Sequence, residues 1–112
     1  NSGVNISFKT KGKSRVLEDF VKTSLYRIGQ ECINNALKYS KSKKIEVGLE
    51  HNAKLGFVAL TVRDFGVGFN PDKVKKGMGL NNIRERTEML NGELKIESIF
   101  DKGTTIQVKS IF

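Results

Sequence analysis

The stretch that decides the fold is Leu55-Gly56-Phe57-Val58-Ala59-Leu60-Thr61-Val62-Arg63, running directly into Asp64-Phe65-Gly66-Val67-Gly68-Phe69. Its first part is nearly continuous in apolar residues and rich in β-branched and aromatic side chains, which predicts a central strand. Its second part opens a loop, Asp64–Lys76, that holds Gly66, Gly68 and the only proline, Pro71. A carboxylate at a strand end, just ahead of glycines, sits where α/β proteins often bind ligands. Gly66 and Gly68 allow close backbone approach and positive φ. Asp64 would repel a phosphate, but it can accept a hydrogen bond from an amino group such as the exocyclic amine of adenine. The segment also reads as a plain strand-terminating turn.

Outward from this stretch, both flanks alternate strands with helices. Upstream, Val4–Lys9 alternates as a half-buried strand does, and Lys11-Gly12-Lys13-Ser14 reads as a turn. Leu17–Ser40 reads as helix with a break near Lys22–Ser24. Ile45–Glu50 is a strand, with His51-Asn52-Ala53-Lys54 as its hairpin connection. Downstream, Leu80–Leu90 is a helix closed by Asn91-Gly92 in left-handed fashion. Leu94–Ser98 and Thr104–Ile111 are strands joined at Asp101-Lys102-Gly103. This order predicts an α/β two-layer sandwich, a mixed sheet with its helices on one face. At 112 residues, the chain is expected to form a single domain, 1–112.

The first helix carries chemistry on one side. Successive residues turn by about 100°, which places Arg27, Asn34, Asn35 and Lys38 around Glu31. Leu25, Ile28, Cys32, Ile33, Ala36 and Leu37 fall opposite, toward the core. Adjacent Asn34-Asn35 is a poor choice for helix propensity alone. Glu31 and Asn35, four apart, present a carboxylate and an amide oxygen side by side. Such oxygens suit Mg²⁺, which keeps substrate phosphates as further ligands. Lys38 lies one turn on, within reach of a phosphate. The bland reading of the same face is a solvated surface with an Arg27–Glu31 ion pair worth a few tenths of a kcal/mol.

Gly77-Met78-Gly79-Leu80 precedes the second helix. Two glycines before a helix free backbone N–H groups to form an anion nest, and the helix N-terminus adds partial positive charge. Lys73, Lys75 and Lys76 stand just ahead. Two more familiar motifs fail here. Asp64-Phe65-Gly66 matches the magnesium tripeptide of eukaryotic-type protein kinases, but the catalytic-loop signature is absent and the chain is too short. Gly77–Asn82 resembles a dinucleotide fingerprint, yet Asn82 replaces the third glycine and no strand precedes it.

Composition narrows the partners. The formal charge is +8, which favours polyanions. The lysine runs Lys9–Lys13, Lys38–Lys44 and Lys73–Lys76 contain almost no aromatics, so no nucleic-acid partner is expected. No apolar run approaches a membrane span and no signal peptide is evident, so no direct membrane contact is expected. Cys32 is the only cysteine; it reads as a small packing residue in a reducing cytoplasm. The first residue is not Met, as in a processed chain or an excised piece.

Taken together, the segments resemble the ATP-binding catalytic domain of bacterial sensor histidine kinases, within the GHKL (Bergerat-fold) superfamily. Leu25–Lys38 looks like the family's N box, Asp64–Phe69 its D box, and Gly77–Leu80 with Ile83-Arg84-Glu85-Arg86 its second glycine box. Leu94–Ser98 and Gly103-Thr104-Thr105 look like the closing strands. Gln30-Glu31, the short lid Asn70–Lys76 and Arg84-Glu85-Arg86 are similar to the subfamily serving NarL/LuxR-type response regulators. The resemblance implies ATP and Mg²⁺ as ligands. It makes Asn35 a Mg²⁺ ligand and Glu31 an aid to the metal or its water, these two being the catalytic residues. It places Asp64 on the adenine amine, with Gly66 and Gly68 shaping the pocket. Gly77, Gly79 and Leu80 line the phosphate side, Lys38 meets a phosphate, and Thr104 supports adenine through water. Tyr39 departs from the family, which often has His there.

The resemblance further implies a γ-phosphate donor. Its acceptor is a histidine on a separate dimerisation domain, and a response regulator is the indirect partner. His51, the sole histidine, reads as an exposed loop residue, so the chain alone should not autophosphorylate. A monomeric domain is expected. The alternatives are a GHKL serine kinase of the anti-sigma type and a non-enzymatic basic nucleic-acid-binding domain.

Overall fold

The computed structural model describes residues 3–14, 16–68 and 80–111. Strand β1 (Asn5–Lys11) leads to helix α1 (Asp19–Asn35), which widens into a π-helical turn at Ala36–Ser40. Strands β2 (Lys44–Asn52) and β3 (Phe57–Asp64) follow, then helix α2 (Leu80–Met89) and strands β4 (Glu93–Ile99) and β5 (Gly103–Ile111). The sheet runs in the order β1-β2-β3-β5-β4. Strands β1 and β2 pair in parallel, and every other pairing is antiparallel. This is the expected mixed sheet, with the apolar strand at its centre.

Strand parity explains why both helices lie on one face. Ile45 and Val47 of β2, Val58, Leu60 and Val62 of β3, and Ile106 and Val108 of β5 all project to the same side. They bury against Leu25, Ile28 and Cys32 of α1 and Leu80 and Ile83 of α2. Ile28, Ile45, Val58 and Ile83 have no exposed surface, and each contributes about 1.5–3 kcal/mol of transfer free energy. The other face of β3 is covered by neighbouring side chains. Lys109 Nζ lies 4.5 Å from the Phe57 ring centroid, and Gln107 Nε2 donates to Thr61 Oγ1 at 3.2 Å.

Several local expectations are corrected. Helix α1 has no break near Lys22–Ser24: the Lys22 amide donates to the Glu18 carbonyl at 3.0 Å, and Ser24 is buried. Leu37 is 47% exposed rather than in the core. The π-helical turn takes more residues per revolution than an α-helix, which rotates Leu37 outward. Ser40 instead turns inward, its hydroxyl donating to the Ala36 carbonyl at 2.6 Å. His51 is not a loop residue. Strand β2 extends to Asn52, His51 pairs with Val58, and parity with Ile45 and Val47 puts its ring on the helix side, buried. Strand β1 is less buried than its alternation suggested. Phe8 is 61% exposed, because an edge strand lies beyond the reach of the helices.

Helix α2 ends as expected, with one refinement. Asn91 takes the left-handed conformation at φ 52°, and the Gly92 amide donates to the Thr87 carbonyl at 2.9 Å. Gly92 serves close packing, since a Cβ there would stand 2.8 Å from the Lys109 carbonyl oxygen. No described helix is long and apolar enough to cross a membrane.

Candidate functional site

The end of β3 gathers most of the predicted site. Asp64 is 7% exposed. Its Oδ1 accepts hydrogen bonds from the Gly66 amide at 3.0 Å and the Thr104 amide at 3.3 Å. Oδ2 has no partner among the described residues, so one carboxylate oxygen is tied to the fold and the other is free. Burial raises the Asp64 carboxyl above the usual carboxylate range, and the two backbone N–H groups partly offset that rise. A buried carboxylate lacking a cation is costly unless something donates to it.

The surrounding loops are stitched at backbone distance. The Val67 amide donates to the Ser40 carbonyl at 2.8 Å, and the Asp101 amide to the Val67 carbonyl at 2.8 Å. A Cβ on Gly66 would stand 1.9 Å from the Ser40 carbonyl oxygen, so no larger residue fits. Gly68 lies against Ile99 in the same way, at 2.3 Å. Gly103, with φ +118°, would place a Cβ 2.1 Å from the Asp64 carbonyl oxygen. Thr104 is buried, and its hydroxyl lies 2.7 Å from that of Ser98. The sequence reading treated Gly103 as a turn glycine and gave Ser98 no role. Both meet the site only through the pairing of β5 with its neighbours.

The helix face is looser. Glu31 is half-buried, and its Oε1 accepts from Asn82 Nδ2 of α2 at 3.3 Å. No Arg27–Glu31 ion pair forms, and Arg27 is exposed to solvent. Asn35 is half-buried, and its amide nitrogen is fully buried with no hydrogen-bond acceptor. An orphan of this kind costs about 1–3 kcal/mol. Lys38 is exposed on the π-helical turn. No group of three or more His, Cys, Asp or Glu gathers among the described residues. Cys32, behind this face, is buried; desolvation, then the charge of Glu31, pushes its thiol up to about 12. Leu80 opens α2 and packs in the core at 4% exposure. Gly77, Gly79 and the expected lid Asn70–Lys76 lie outside the described residues.

Comparison with known proteins agrees with this architecture. A family model described as histidine kinase-, DNA gyrase B-, and HSP90-like ATPase matches residues 20–111. The chain is 32% identical over 111 residues to the oxygen sensor histidine kinase NreB of Staphylococcus carnosus, covering 97% of this chain and 31% of that protein. It therefore spans about a third of that relative's length. Among solved structures, the blue-light activated histidine kinase of Erythrobacter litoralis superposes with a TM-score of 0.79 at 18% identity, over 99% of this chain and 36% of the other. The catalytic domain of histidine kinase ThkA superposes with a TM-score of 0.77 at 18% identity, over 97% of this chain and 78% of the other. These two share the fold. With the family model spanning α1 to β5, the chain belongs to the histidine kinase-, DNA gyrase B- and HSP90-like ATPases and is an ATP-binding domain of that family.

Proposed function

We propose that this domain holds Mg·ATP and presents its γ-phosphate to a histidine on a separate dimerisation domain of a sensor kinase, with a response regulator downstream. The observation that carries the reading is Asp64: a buried carboxylate with Oδ1 held by two backbone amides and Oδ2 left free. An amino group of adenine is the donor this arrangement lacks. Thr104, Gly66 and Gly68 shape the same end. At the other end, Glu31 and Asn35 would hold Mg²⁺, which neutralises phosphate charge when bound. Lys38, Gly77 and Gly79 would line the phosphate side; Leu80, whose side chain packs in the core, would offer only its backbone there.

Phosphoryl transfer needs little covalent help from a protein, so positioning and charge neutralisation carry most of the catalysis. The burial of His51 supports an acceptor histidine outside this domain. In calorimetry, ATP is expected to bind more tightly than GTP, and more tightly with Mg²⁺ than without. Equal affinity for the two bases would defeat the adenine assignment. Affinity indifferent to Mg²⁺ would defeat the roles of Glu31 and Asn35.

A further inference from the structure

Ser98 has no part in the reading above, yet it sits at the centre of the base end. It pairs with Thr104 across β4 and β5, so both side chains rise from the same face of the sheet. Their hydroxyl oxygens are 2.7 Å apart. The Thr104 amide donates to Asp64 Oδ1. Ser98 Oγ also lies 3.2 Å from the position a Cβ would take on Gly68, whose φ is +70°. One serine thus bonds to the residue that anchors Asp64 and stands beside the start of the glycine loop.

Resting on the adenine reading, we propose that Ser98 is a positioning residue that sets base selectivity by fixing the Thr104 hydroxyl. A threonine hydroxyl offers one donor and two acceptor sites and rotates freely unless held. The bond to Ser98 uses one of these and holds the hydroxyl oxygen in place, whichever of the two donates. Asp64 Oδ2 is an acceptor, so a base meets a fixed pattern: an acceptor from Asp64 beside a Thr104 hydroxyl oxygen held in one position. Adenine carries an amino donor next to a ring nitrogen acceptor and matches that pattern. Guanine carries a carbonyl oxygen in place of the amine and faces Asp64 acceptor to acceptor. Without Ser98, the Thr104 hydroxyl can swing out of the position that matches adenine. Selectivity then falls, while the triphosphate end is untouched.

The test compares dissociation constants for ATP and GTP, both with Mg²⁺, across wild type, Ser98→Ala, Ser98→Cys, Ser98→Thr and Thr104→Ala. The ratio of the two constants is independent of how much of a sample is folded. Ser98→Ala is expected to weaken ATP about fivefold, the effect of one neutral hydrogen bond, and to leave GTP within about twofold. Ser98→Cys keeps the shape, gives up most of the hydrogen bond and should behave like Ala. Ser98→Thr keeps the hydroxyl and should hold the wild-type ratio. Adding Ser98→Ala to Thr104→Ala should change nothing further, because the two act as one unit. Equal weakening of ATP and GTP in Ser98→Ala, or additive effects in the double variant, would overturn the role of Ser98 and leave the adenine reading standing. A wild-type domain that binds both bases equally would overturn both.

Discussion

At the end of β3, Asp64 is gripped by two backbone amides and lies against Gly103, while Gly66 and Gly68 beyond it lie against Ser40 and Ile99. On α1, Glu31 has one 3.3 Å bond to Asn82, and the Asn35 amide nitrogen has none. The two regions face the same nucleotide in the proposed function, but they are built differently. The base end is completed by the fold itself, through main-chain contacts that admit only glycine. The helix face is left polar and incomplete, so its bonding depends on what binds there. Changes at the base end should therefore damage folding and binding together. Changes on the helix face should damage binding and spare the fold.

The largest expected effect is at the base end. Gly66→Ala drives a methyl into the Ser40 carbonyl oxygen and should cost about 3 kcal/mol or more of stability, read as a drop in the urea midpoint. A wild-type midpoint would break the contrast outright. Asp64→Asn comes next. It keeps an oxygen for both backbone amides and removes the buried charge, so ATP affinity should fall by about 1–3 kcal/mol while the ligand-free domain melts higher. Asn35→Ala should lower Mg²⁺-dependent ATP affinity about tenfold, or about 1.4 kcal/mol. It should leave the ligand-free domain as stable as wild type or slightly more so, since an orphaned N–H group is gone. Destabilisation of the free domain by Asn35→Ala would show that the helix face is also part of the fold.

The smallest effect is in pH dependence. The Asp64 carboxyl is raised in the folded state, so folding favours its protonated form. That contribution is complete below the ordinary carboxylate range and is lost as pH rises through the raised value. Chemical denaturation of wild type and Asp64→Asn should therefore converge at acid pH, with the variant pulling ahead as pH rises. ATP affinity should run the other way. It needs the ionised carboxylate and should weaken as pH falls through the raised value. Parallel stability curves for the two proteins would remove Asp64 as the titrating group.

How far the sequence reading reached follows the range of the forces involved. Alternation and β-branching are local, and they located β2, β3 and β5 to within a few residues. The amphipathic period of α1 put Glu31 and Asn35 on the polar side; in the structure both are half-buried, and the Asn35 amide nitrogen is fully buried. The same period failed at Leu37, because a π-helical turn is a departure from the repeat that the argument assumes. His51 was misplaced by reading the hairpin connection as His51–Lys54, whereas the strand pairs through Asn52 with Phe57 and the turn begins two residues later. Phe8 was given a half-buried strand because alternation says which face a residue takes, not whether anything covers that face. Ser98 and Gly103 were missed for a third reason. Their meaning lies in contacts with Thr104 and Asp64, made across strands. The resemblance supplied Asp64 and Thr104 as separate residues; only the structure joins them by a hydrogen bond.

That hydrogen bond crosses a seam. Strands β2 and β3 form one hairpin, and β4 and β5 form another, each closed by a short turn. The two are joined by pairing β3 with β5, as in Arg63 with Thr105, across a long stretch of intervening chain. Pairings of that kind form slowly, because a large loop must close before any contact rewards it. Asp64 belongs to the first hairpin and Thr104 to the second, so the base pocket is born only at the late step that joins them. The amide proton of Thr104 is accordingly a clock for that step. Its exchange with solvent should track separation of the two hairpins, and a bound nucleotide should slow it more than it slows amides within either hairpin alone.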